Sequence, residues 1–389
     1  MKILFLLADD HGGAGLAALR LKSALEENGH EIHVESLHQS HSIGKRKLRI
    51  RNFKARINRK FEYHLLRNIG LNDGLYKSLK WLPLNPVANI RFENYDIVHL
   101  HWVNNGFFGL NHLNHIKPKV KILWTLHSMW PFSSPNHHFR TQSILDSKSR
   151  VFKLLVQLEN NSWSKALDRV DGWVVPSSYM VELLPQDLCV RVIGNCLDSI
   201  HVQPIFNQEP TKRFAFVCAG DVFDPRKGLT ELLETWIATS SSHEDAKLFI
   251  VGPKYEHNFS KHLVQLGIHE NVHFIGALEA HEIRKFLKYI DALFVPSHEE
   301  TFGQTILEAL SVGTPVIVNK NLPSVNEFSV VTEILHKINF NNELEFIQSL
   351  QLVSQNRFSR EINMKKIIEI FGPKPVADSI EVFYREFLK

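Results

Sequence analysis

The segment from Asp291 to Val318 shows the clearest order of apolar runs and polar turns along the chain. Its first residues, Asp291 to Ser297, are apolar, β-prone and too few for a helix, which predicts a strand buried on both faces of a parallel sheet. A polar turn follows, and Thr305 to Leu310 then carries apolar residues at helical spacing. Gly313 is placed to end this helix, and Pro315 opens another apolar run. The pattern predicts a strand, a loop, a helix and a second strand.

The loop of this segment carries groups suited to a phosphorylated, hydroxyl-rich ligand. It lies at the carboxyl end of a predicted strand, where open α/β sheets bind their ligands. The carboxylates of Glu300 and Glu308 can accept hydrogen bonds from hydroxyl groups. The backbone N–H groups of Phe302, Gly303 and Gln304 lie at a helix N-terminus, which favours phosphate. The spacing of the glutamates also fits two solvated surface residues.

Strands and helices alternate along the chain, which predicts two Rossmann-like α/β domains with parallel sheets. Lys2 to Ala8 is predicted to form the first strand, and a glycine-rich turn with Gly12 and Gly13 follows it before a helix. Phe214 to Ala219 begins a second series of strands. The polar stretch Gln203 to Lys212, which contains two prolines, is the predicted linker.

The composition is that of a globular protein in a reducing compartment. The 389 residues are 44% hydrophobic and 22% charged, and they suffice for two domains. The three cysteines show neither the spacing of metal ligands nor that of a disulfide framework. The N-terminal apolar run is too short to span a membrane and lacks the cleavage site of a signal peptide. We therefore expect a cytoplasmic protein.

One stretch, Gly44 to Lys60, is densely basic and is interrupted by apolar residues with partly helical spacing. Three interpretations compete: a solvated helix face, a nucleic-acid patch, and a surface that contacts anionic lipid headgroups. No nucleic-acid motif accompanies the stretch, so we expect no nucleic-acid partner.

Two further stretches place imidazole or basic groups beside predicted strands. His127 follows the predicted strand Val120 to Leu126, and Arg226 and Lys227 lie between the strand Phe214 to Ala219 and a predicted helix. A histidine at the end of a strand is more often a packing or capping residue than a catalytic one. The neighbouring arginine and lysine also fit a surface charge pair.

The residues ETFGQTILE, from Glu300 to Glu308, resemble the E-x7-E motif of retaining glycosyltransferases of the GT4 family. The S-x-x-E-x-F-G pattern from Ser297 to Gly303 and the G-x-P-V-I pattern from Gly313 to Ile317 strengthen this resemblance. The similarity is good over residues 214–318 and poor over residues 40–90. The chain thus resembles the group 1 glycosyltransferases of bacterial polysaccharide biosynthesis.

The resemblance implies the GT-B fold, in which two Rossmann-like domains with parallel sheets face each other across a cleft. We expect an N-terminal, acceptor-side domain at residues 1–205 and a C-terminal domain that binds the nucleotide-sugar donor at residues 206–372. Residues 373–389 are expected to form a final helix that crosses back to the first domain.

A second resemblance concerns the diphosphate of the donor. Gly220 to Gly228 resembles the family pattern G-R-x-x-x-P-x-K-G, whose arginine and lysine hold the donor diphosphate. Lys227 matches the lysine. Asp221 stands at the position of the arginine and cannot bind phosphate, so we expect Arg226 to supply the second positive charge.

The resemblance also suggests catalytic residues. Thr125 to Pro131 resembles the family segment T-x-H-D-x-W-P, whose histidine lies at the reacting sugar, although Ser128 replaces the aspartate. This makes His127 a catalytic candidate together with Glu300, which is expected to bind hydroxyls of the donor sugar, whereas Glu308 is expected to bind the ribose. The donor-binding candidates are Gly12, Gly13, Arg226, Lys227, Phe302, Gly303, Gln304 and Glu308.

The implied function is transfer of a sugar, with retention of configuration, from a nucleotide-diphosphate sugar to a hydroxyl group. The expected acceptor is a saccharide or lipid-linked saccharide of lipopolysaccharide, O-antigen, capsule or exopolysaccharide synthesis. No cofactor and no metal is expected. On this basis we favour contact of Lys45 to Lys60 with the anionic inner face of the cell membrane. The alternatives are another GT-B activity, such as a sugar-nucleotide epimerase, and a non-catalytic sugar-nucleotide-binding scaffold.

Overall fold

The computed structural model describes residues 1–68, 78–133, 165–198, 212–253, 271–355 and 360–388. The chain divides into two compact units. Unit 1 is Met1–Cys196 together with Val376–Lys389, and unit 2 is Leu197–Pro375. The predicted domain boundary between residues 205 and 206, and all of the predicted linker except Lys212, lie outside the described residues.

Unit 1 contains a sheet of six strands in the order β2-β1-β3-β4-β5-β6. Every pairing between neighbouring strands is parallel. The strands are β1 (Lys2–Leu6), β2 (Glu31–Glu35), β3 (Ile97–Leu100), β4 (Lys121–Thr125), β5 (Gly172–Val175) and β6 (Val190–Val192). The described connections include the helices α1 (Gly13–Glu27), α2 (Lys45–Asn68) and α3 (Trp130–Ser133), and the 3₁₀ segments Phe92–Asn94, Leu110–His115 and Ser178–Leu183.

The four central strands of unit 1, β1, β3, β4 and β5, are buried on both faces of the sheet, which explains why their sequences are mostly hydrophobic, whereas the edge strands β2 and β6 are partly exposed and more polar. In β1, Leu4 and Leu6 belong to one apolar cluster, and Ile3 and Phe5 belong to another. All four side chains are fully buried. Helix α1 covers the second cluster through Leu21 and its neighbours.

Unit 2 contains a second parallel sheet of six strands, in the order β12-β11-β10-β7-β8-β9. The strands are β7 (Lys212–Val217), β8 (Ala246–Val251), β9 (Val272–Gly276), β10 (Ala292–Val295), β11 (Val316–Asn319) and β12 (Leu335–Ile338). The described helices are α4 (Leu229–Ala238), α5 (Ala280–Lys288), α6 (Gln304–Ser311), α7 (Glu343–Gln355) and α8 (Arg360–Phe371), with 3₁₀ segments at Pro225–Lys227, Ser240–Ser242 and Pro323–Ile334.

The last helix, α9 (Pro373–Phe387), belongs to unit 1 from Val376 onward. Its residues Ile380 and Phe383 lie in the same apolar cluster as Phe5 of the first strand. Residues from the first strand and from the last helix therefore pack together in the core of unit 1.

Two parallel sheets with connecting helices confirm the predicted fold class. The segment from Asp291 to Val318 forms β10, a loop, α6 and β11, in the predicted order. Gly313 has a positive φ of 75°, and its N–H group donates to the carbonyl oxygen of Leu310 at 3.1 Å. The helix ends there because glycine adopts this left-handed conformation without steric cost.

Each sheet has a topological switch point, at which the strand order reverses. In unit 1 the chain passes from β1 to β2 and then returns to β3 on the other side of β1. In unit 2 it passes from β7 to β8 and β9 and then returns to β10 on the other side of β7. The loops that leave the two central strands of each sheet diverge, and such a divergence opens a crevice at the carboxyl edge where α/β proteins bind ligands.

Candidate functional site

A partly buried ion pair joins the loop after β7 to the loop after β10 at the switch point of unit 2. The Nζ atom of Lys227 lies 2.7 Å from Oε1 of Glu300, and the hydroxyl group of Ser297 donates to the same oxygen at 2.9 Å. The side chains of Lys227 and Glu300 are 26% and 18% exposed, so the pair is shielded from solvent but accessible to a ligand. The loop after β7 and the loop after β10 thus meet through two of the residues predicted from the sequence.

A glycine allows these two loops to approach so closely. Gly228 has a φ of 68°, and a Cβ atom at this position would lie 2.5 Å from the carbonyl oxygen of Pro296 at the end of β10. The N–H group of His298 donates to the carbonyl oxygen of Arg226 at 2.8 Å and ties the same loops together. The glycine that follows Lys227 is therefore required both by its backbone conformation and by the close contact.

Two aspartates shape the turn that carries Lys227. Asp221, which stands where the resembled pattern has arginine, accepts the N–H group of Phe223 at 3.0 Å. Asp224 accepts both the N–H group and the Nε–H group of Arg226 at 3.0 Å and forms an ion pair with its guanidinium. Burial acts to raise the pKa of Asp224, but the hydrogen bonds and charge of Arg226 hold it below its ordinary value. Arg226 is thus fixed beside Lys227 as one half of an ion pair.

Lys227 keeps its positive charge in this setting. Burial acts to lower its pKa, but the neighbouring Glu300 carboxylate raises the pKa above the ordinary value of a lysine. The lysine and glutamate neutralise each other, so an incoming polyanion would compete with the carboxylate for the ammonium group. The pair is therefore suited to an anion that also carries hydroxyl groups. The anion would bind the ammonium group, and its hydroxyl groups would donate to the carboxylate that the lysine has left.

The start of α6 contributes backbone groups rather than side chains. Phe302 is 1% exposed, and its ring packs on Phe328 and Phe371 with centroids 5.1 Å and 5.5 Å apart. Gly303 has a φ of 96°, which turns the chain into the helix. The Phe302 ring thus anchors the loop, and the binding of a ligand by the N–H groups of these residues stays a prediction.

Glu308 lies in α6 and is only 5% exposed. The amide of Gln304 donates to its Oε1 atom at 3.4 Å. A buried carboxylate needs hydrogen-bond donors, and ligand hydroxyl groups are of that kind.

At the switch point of unit 1, the glycine turn after β1 lines an open pocket of about 230 Å³. Gly12 and Gly13 form part of its wall with Asp9 on one side and Trp102, which follows β3, on the other. A Cβ atom at Gly12 or Gly13 would have no neighbour within 4 Å, so both residues face free space. Gly15 differs, because its Cβ atom would collide with the backbone of Asp9.

His127, which follows β4, belongs to a group of stacked imidazoles. Its Nε2 atom lies 3.2 Å from Nδ1 of His101, and their ring centroids are 5.5 Å apart. His99 lies next to His101 and bonds Oγ1 of Thr125 at 2.8 Å and the hydroxyl group of Tyr384 at 2.6 Å. The last helix thus reaches the histidine group through a tyrosine.

These histidines are neutral at physiological pH. Burial lowers the pKa of His127 to about 4 and that of His99 to about 3, and it lowers the pKa of His101 well below the ordinary value. A neutral imidazole offers one donor and one acceptor. His127 can therefore hydrogen-bond a hydroxyl group without bringing a charge.

The predicted residues form two sets, one at the carboxyl edge of each sheet. Gly12, Gly13 and His127 lie in unit 1, and the remaining candidates lie in unit 2. The sequence reasoning missed Asp224 and Tyr384. Asp224 had a usable signal, since an aspartate two residues before Arg226 favours an Asx turn. Tyr384 had none, because its partner is 285 positions away.

Two family models match the chain. The model of the glycosyl transferases group 1 matches residues 203–357, and the model of glycosyltransferase family 4 matches residues 11–199. The chain belongs to the group 1, family 4 glycosyltransferases. This membership confirms the resemblance found in the E-x7-E segment.

Two curated relatives have defined names. A phosphatidyl-myo-inositol mannosyltransferase of Mycobacterium leprae is 24% identical over 221 residues, which are 56% of this chain and 57% of the relative. The lipopolysaccharide core biosynthesis mannosyltransferase LpsB of Rhizobium meliloti is 26% identical over 183 residues, which are 43% of this chain and 50% of the relative. The matched region thus spans about half of the length of these relatives.

Solved structures share the fold over the whole chain. Sucrose-phosphate synthase of Thermosynechococcus elongatus has a TM-score of 0.67 at 15% identity and covers 99% of this chain and 98% of its own. HepE of Anabaena, solved with UDP and glucose, has a TM-score of 0.58 at 14% identity and covers 98% of this chain and 99% of its own. The fold is therefore GT-B, as predicted.

Proposed function

We propose that this protein transfers a sugar from a nucleotide-diphosphate sugar to a hydroxyl group, with retention of anomeric configuration. The observation that carries the proposal is the Lys227–Glu300 pair, which lies at the switch point of a Rossmann-like sheet in a chain of this family. The two residues combine a cation for a diphosphate with a carboxylate for sugar hydroxyls.

The donor would replace the contact between Lys227 and Glu300 with its own contacts to each of these two residues. Its diphosphate takes the ammonium group of Lys227, and the N–H groups at the start of α6 supply further donors. Glu300, released from the lysine, accepts hydrogen bonds from the sugar. As the glycosidic bond breaks, negative charge grows on the leaving diphosphate, and the lysine stabilises that charge more strongly in the transition state than in the ground state.

Arg226 adds positive charge beside Lys227 while Asp224 holds its guanidinium in place. Glu308 is proposed to bind the ribose of the nucleotide from within α6. These side chains supply the charge that the leaving group requires, and on this basis we propose a reaction that needs no cofactor and no metal. Full activity after dialysis against EDTA is the expected result.

His127 and the glycine pocket of unit 1 are proposed to contact the reacting sugar and the acceptor. The neutral imidazole can hydrogen-bond a sugar hydroxyl, and the backbone at Gly12 and Gly13 admits a ligand without steric obstruction. A charged group is not required here, because the acceptor is a hydroxyl group rather than a polyanion.

The proposed acceptor is a saccharide or lipid-linked saccharide of cell-surface polysaccharide synthesis. The names of the relatives from Mycobacterium leprae and Rhizobium meliloti support this class, since one acts on phosphatidyl-myo-inositol and the other in lipopolysaccharide core synthesis. The ligands of the Anabaena structure make UDP-sugars the first donors to test.

Helix α2 supports a location at the inner face of the cell membrane. Its buried side is fixed by the ion pair between Arg51 and Glu35, whose atoms are 2.7 Å apart. On its other side an apolar stripe is exposed between lysines and arginines: Ile50 (46%), Phe53 (60%), Ile57 (38%) and Phe61 (37%). An amphipathic helix of this kind, basic and with exposed aromatic residues, is suited to anionic lipid headgroups.

None of the helices in the described ranges combines the length and apolar composition needed to cross a membrane. Contact through α2 would therefore be peripheral. Replacing Phe53 and Ile57 with serine should reduce sedimentation with vesicles of anionic phospholipid, whereas neutral vesicles should bind neither variant nor wild type. Equal sedimentation of variant and wild type with anionic vesicles would remove this part of the proposal.

The activity is tested with a panel of UDP-, GDP- and ADP-sugars and a membrane extract as the source of acceptor. We expect one donor to release its nucleoside diphosphate only when acceptor is present. A sugar-nucleotide epimerase would convert the donor without an acceptor, and a scaffold would bind the nucleotide without turnover. Either result would overturn the proposed transfer.

A further inference from the structure

Three metal-ligating side chains meet beside the glycine turn of unit 1. One ligand atom from each of Asp10, His11 and His38 lies within 4.8 Å of the other two. Asp10 and His11 follow β1, and His38 follows β2, which is its neighbour in the sheet. The cluster has no part in the proposed sugar transfer. The inference drawn from it is therefore independent of that proposal.

The distances fit a small cation of tetrahedral preference. Nε2 of His11 lies 3.3 Å from Oδ1 of Asp10. In a tetrahedral zinc site with ligands about 2 Å from the metal, two ligand atoms are about 3.3 Å apart. One edge of such a site is therefore already formed. The rings of His11 and His38 are 5.1 Å apart, and both side chains are exposed enough to rotate toward a shared ion.

The carboxylate of Asp10 is the second indication of a ligand. Its side chain is only 11% exposed, and its Oδ1 atom is buried with no hydrogen-bond partner within the described residues. Its described polar contact is the approach of His11 Nε2 at 3.3 Å, and a cation bound between the two atoms would satisfy the oxygen directly. The same oxygen is the one that faces His11.

A further carboxylate, that of Asp9, lies beside the cluster on the side of His38. Oδ1 of Asp9 is 3.8 Å from Nε2 of His38 and accepts the N–H group of His11 at 2.9 Å. The N–H group of His38 donates to the hydroxyl group of Ser36 at 3.0 Å, which holds the backbone of the second loop. Two imidazoles and one carboxylate thus surround one point, and hydrogen bonds hold the backbone of both loops beside it.

We propose that Asp10, His11 and His38 bind one Zn²⁺ ion and leave its fourth position open. Two imidazole ligands favour zinc and its neighbours in the transition series over Mg²⁺ and Ca²⁺, which prefer oxygen ligands alone. The bound ion joins the turn after β1 to the loop after β2 at the rim of the pocket that contains Gly12 and Gly13.

The test is calorimetric titration of the tag-free protein with Zn²⁺, alongside the variants His11→Ala, His38→Ala and Asp10→Asn. The matched control is His64→Ala, which removes another exposed histidine of the same unit. We expect wild type and control to bind one equivalent of Zn²⁺ with equal affinity, and each cluster variant to bind at least tenfold more weakly. Circular dichroism checks that the variants are folded.

Two additional readouts report the geometry and its consequence. Co²⁺ in the same site should give the intense visible absorption of four-coordinate cobalt, and Zn²⁺ should raise the melting temperature of wild type but not of the His11→Ala/His38→Ala double variant. Wild-type Zn²⁺ affinity in the double variant, or the absence of any saturable Zn²⁺ binding to wild type, would overturn the inference.

Discussion

The two sheets have similar strand topology but opposite chemistry at their switch points. In unit 2 the crevice holds charged pairs, Lys227 with Glu300 and Arg226 with Asp224. In unit 1 the described residues that line the pocket include the glycines and Asp9 but no lysine or arginine, and His127 at the same edge is neutral. Fold alone does not produce this difference, because both edges offer the same backbone arrangement. The side chains assign the anionic part of a donor to unit 2 and the neutral hydroxyl chemistry to unit 1.

The largest effect should come from the ion pair of unit 2. Lys227→Ala and Glu300→Ala should each lower kcat/KM of sugar transfer by about 10²–10³-fold, because each removes a group that contacts the donor in the transition state. Steady-state kinetics with the active donor measures the loss. The control is Lys320→Ala, which removes an exposed ion pair with Glu345 in the same unit and should leave activity unchanged.

The double variant Lys227→Ala/Glu300→Ala separates catalysis from structure. If the two residues only neutralised each other, removing both would restore much of the activity lost in either single variant. We expect no such recovery, since the donor loses both contacts. Recovery to near wild-type kcat/KM would mean that the pair contributes only to folding. The proposed chemical difference between the two units would then be refuted.

A smaller effect on transfer activity is expected from substitution of His127, the neutral histidine of unit 1. His127→Ala should lower kcat/KM by about tenfold to a hundredfold, the range expected when one hydrogen bond is lost. The affinity for the nucleoside diphosphate should not change, because unit 2 holds the diphosphate. His115→Ala, an exposed histidine of unit 1, is the control. A His127→Ala variant that loses nucleotide binding as severely as Lys227→Ala would contradict the division of labour.

Gly228→Ala should act on the placement of Lys227 rather than on its charge. The positive φ and the contact with the carbonyl oxygen of Pro296 should destabilise the loop by about 1–3 kcal/mol and separate Lys227 from Glu300. Thermal melting and transfer activity should both decrease. Gly220→Ala is the matched control for stability, since its Cβ atom meets nothing within 4 Å. Equal melting temperatures of the two variants would be the contrary result.

The smallest effect concerns acid stability, and most of it should arise in unit 1, where His99, His101 and His127 are buried together, whereas unit 2 contributes His336. The pKa of His99 is about 3 in the folded protein and near 6.5 in the unfolded chain. Between these values the unfolded state takes up a proton that the folded state excludes. Stability is therefore fully present above pH 6.5 and falls as the pH decreases toward 3, on the order of 1 kcal/mol per pH unit for this group.

Hydrogen exchange of β3 and β4 at pH 7, 6 and 5 reports this change within unit 1. The His99→Gln variant cannot take up the proton, so its opening free energy should depend less steeply on pH than that of wild type. The variant will be less stable at pH 7, because His99 bonds Thr125 and Tyr384. Parallel pH dependence in the two proteins would show that His99 does not carry the effect.

The sequence predicted those features that arise from short-range pattern. The order of β10, loop, α6 and β11 follows from residues that are neighbours in the chain, and so does the helix end at Gly313. Family resemblance placed Lys227 and Glu300 in one site, and the structure brings them into contact. Their roles toward a donor stay predictions.

Other features depend on distant contacts that no local pattern encodes. Tyr384 reaches His99 because α9 packs against the first sheet, and only the folded chain brings these residues together. The pairing of Asp224 with Arg226 is different, because it is local, and the sequence reasoning missed it although the aspartate two residues before Arg226 was a usable signal. Membrane contact through α2 remains a prediction in the same way, since exposure of its apolar stripe became visible only in the structure.

The central claim is that unit 2 binds the nucleotide-sugar donor through its diphosphate. Calorimetric titration of wild type and Lys227→Ala with UDP-, GDP- and ADP-sugars tests it most directly. The account predicts saturable binding of at least one donor to wild type and affinity at least tenfold weaker in the variant. Equal affinity in both proteins, or no saturable binding of any donor to wild type, would contradict it.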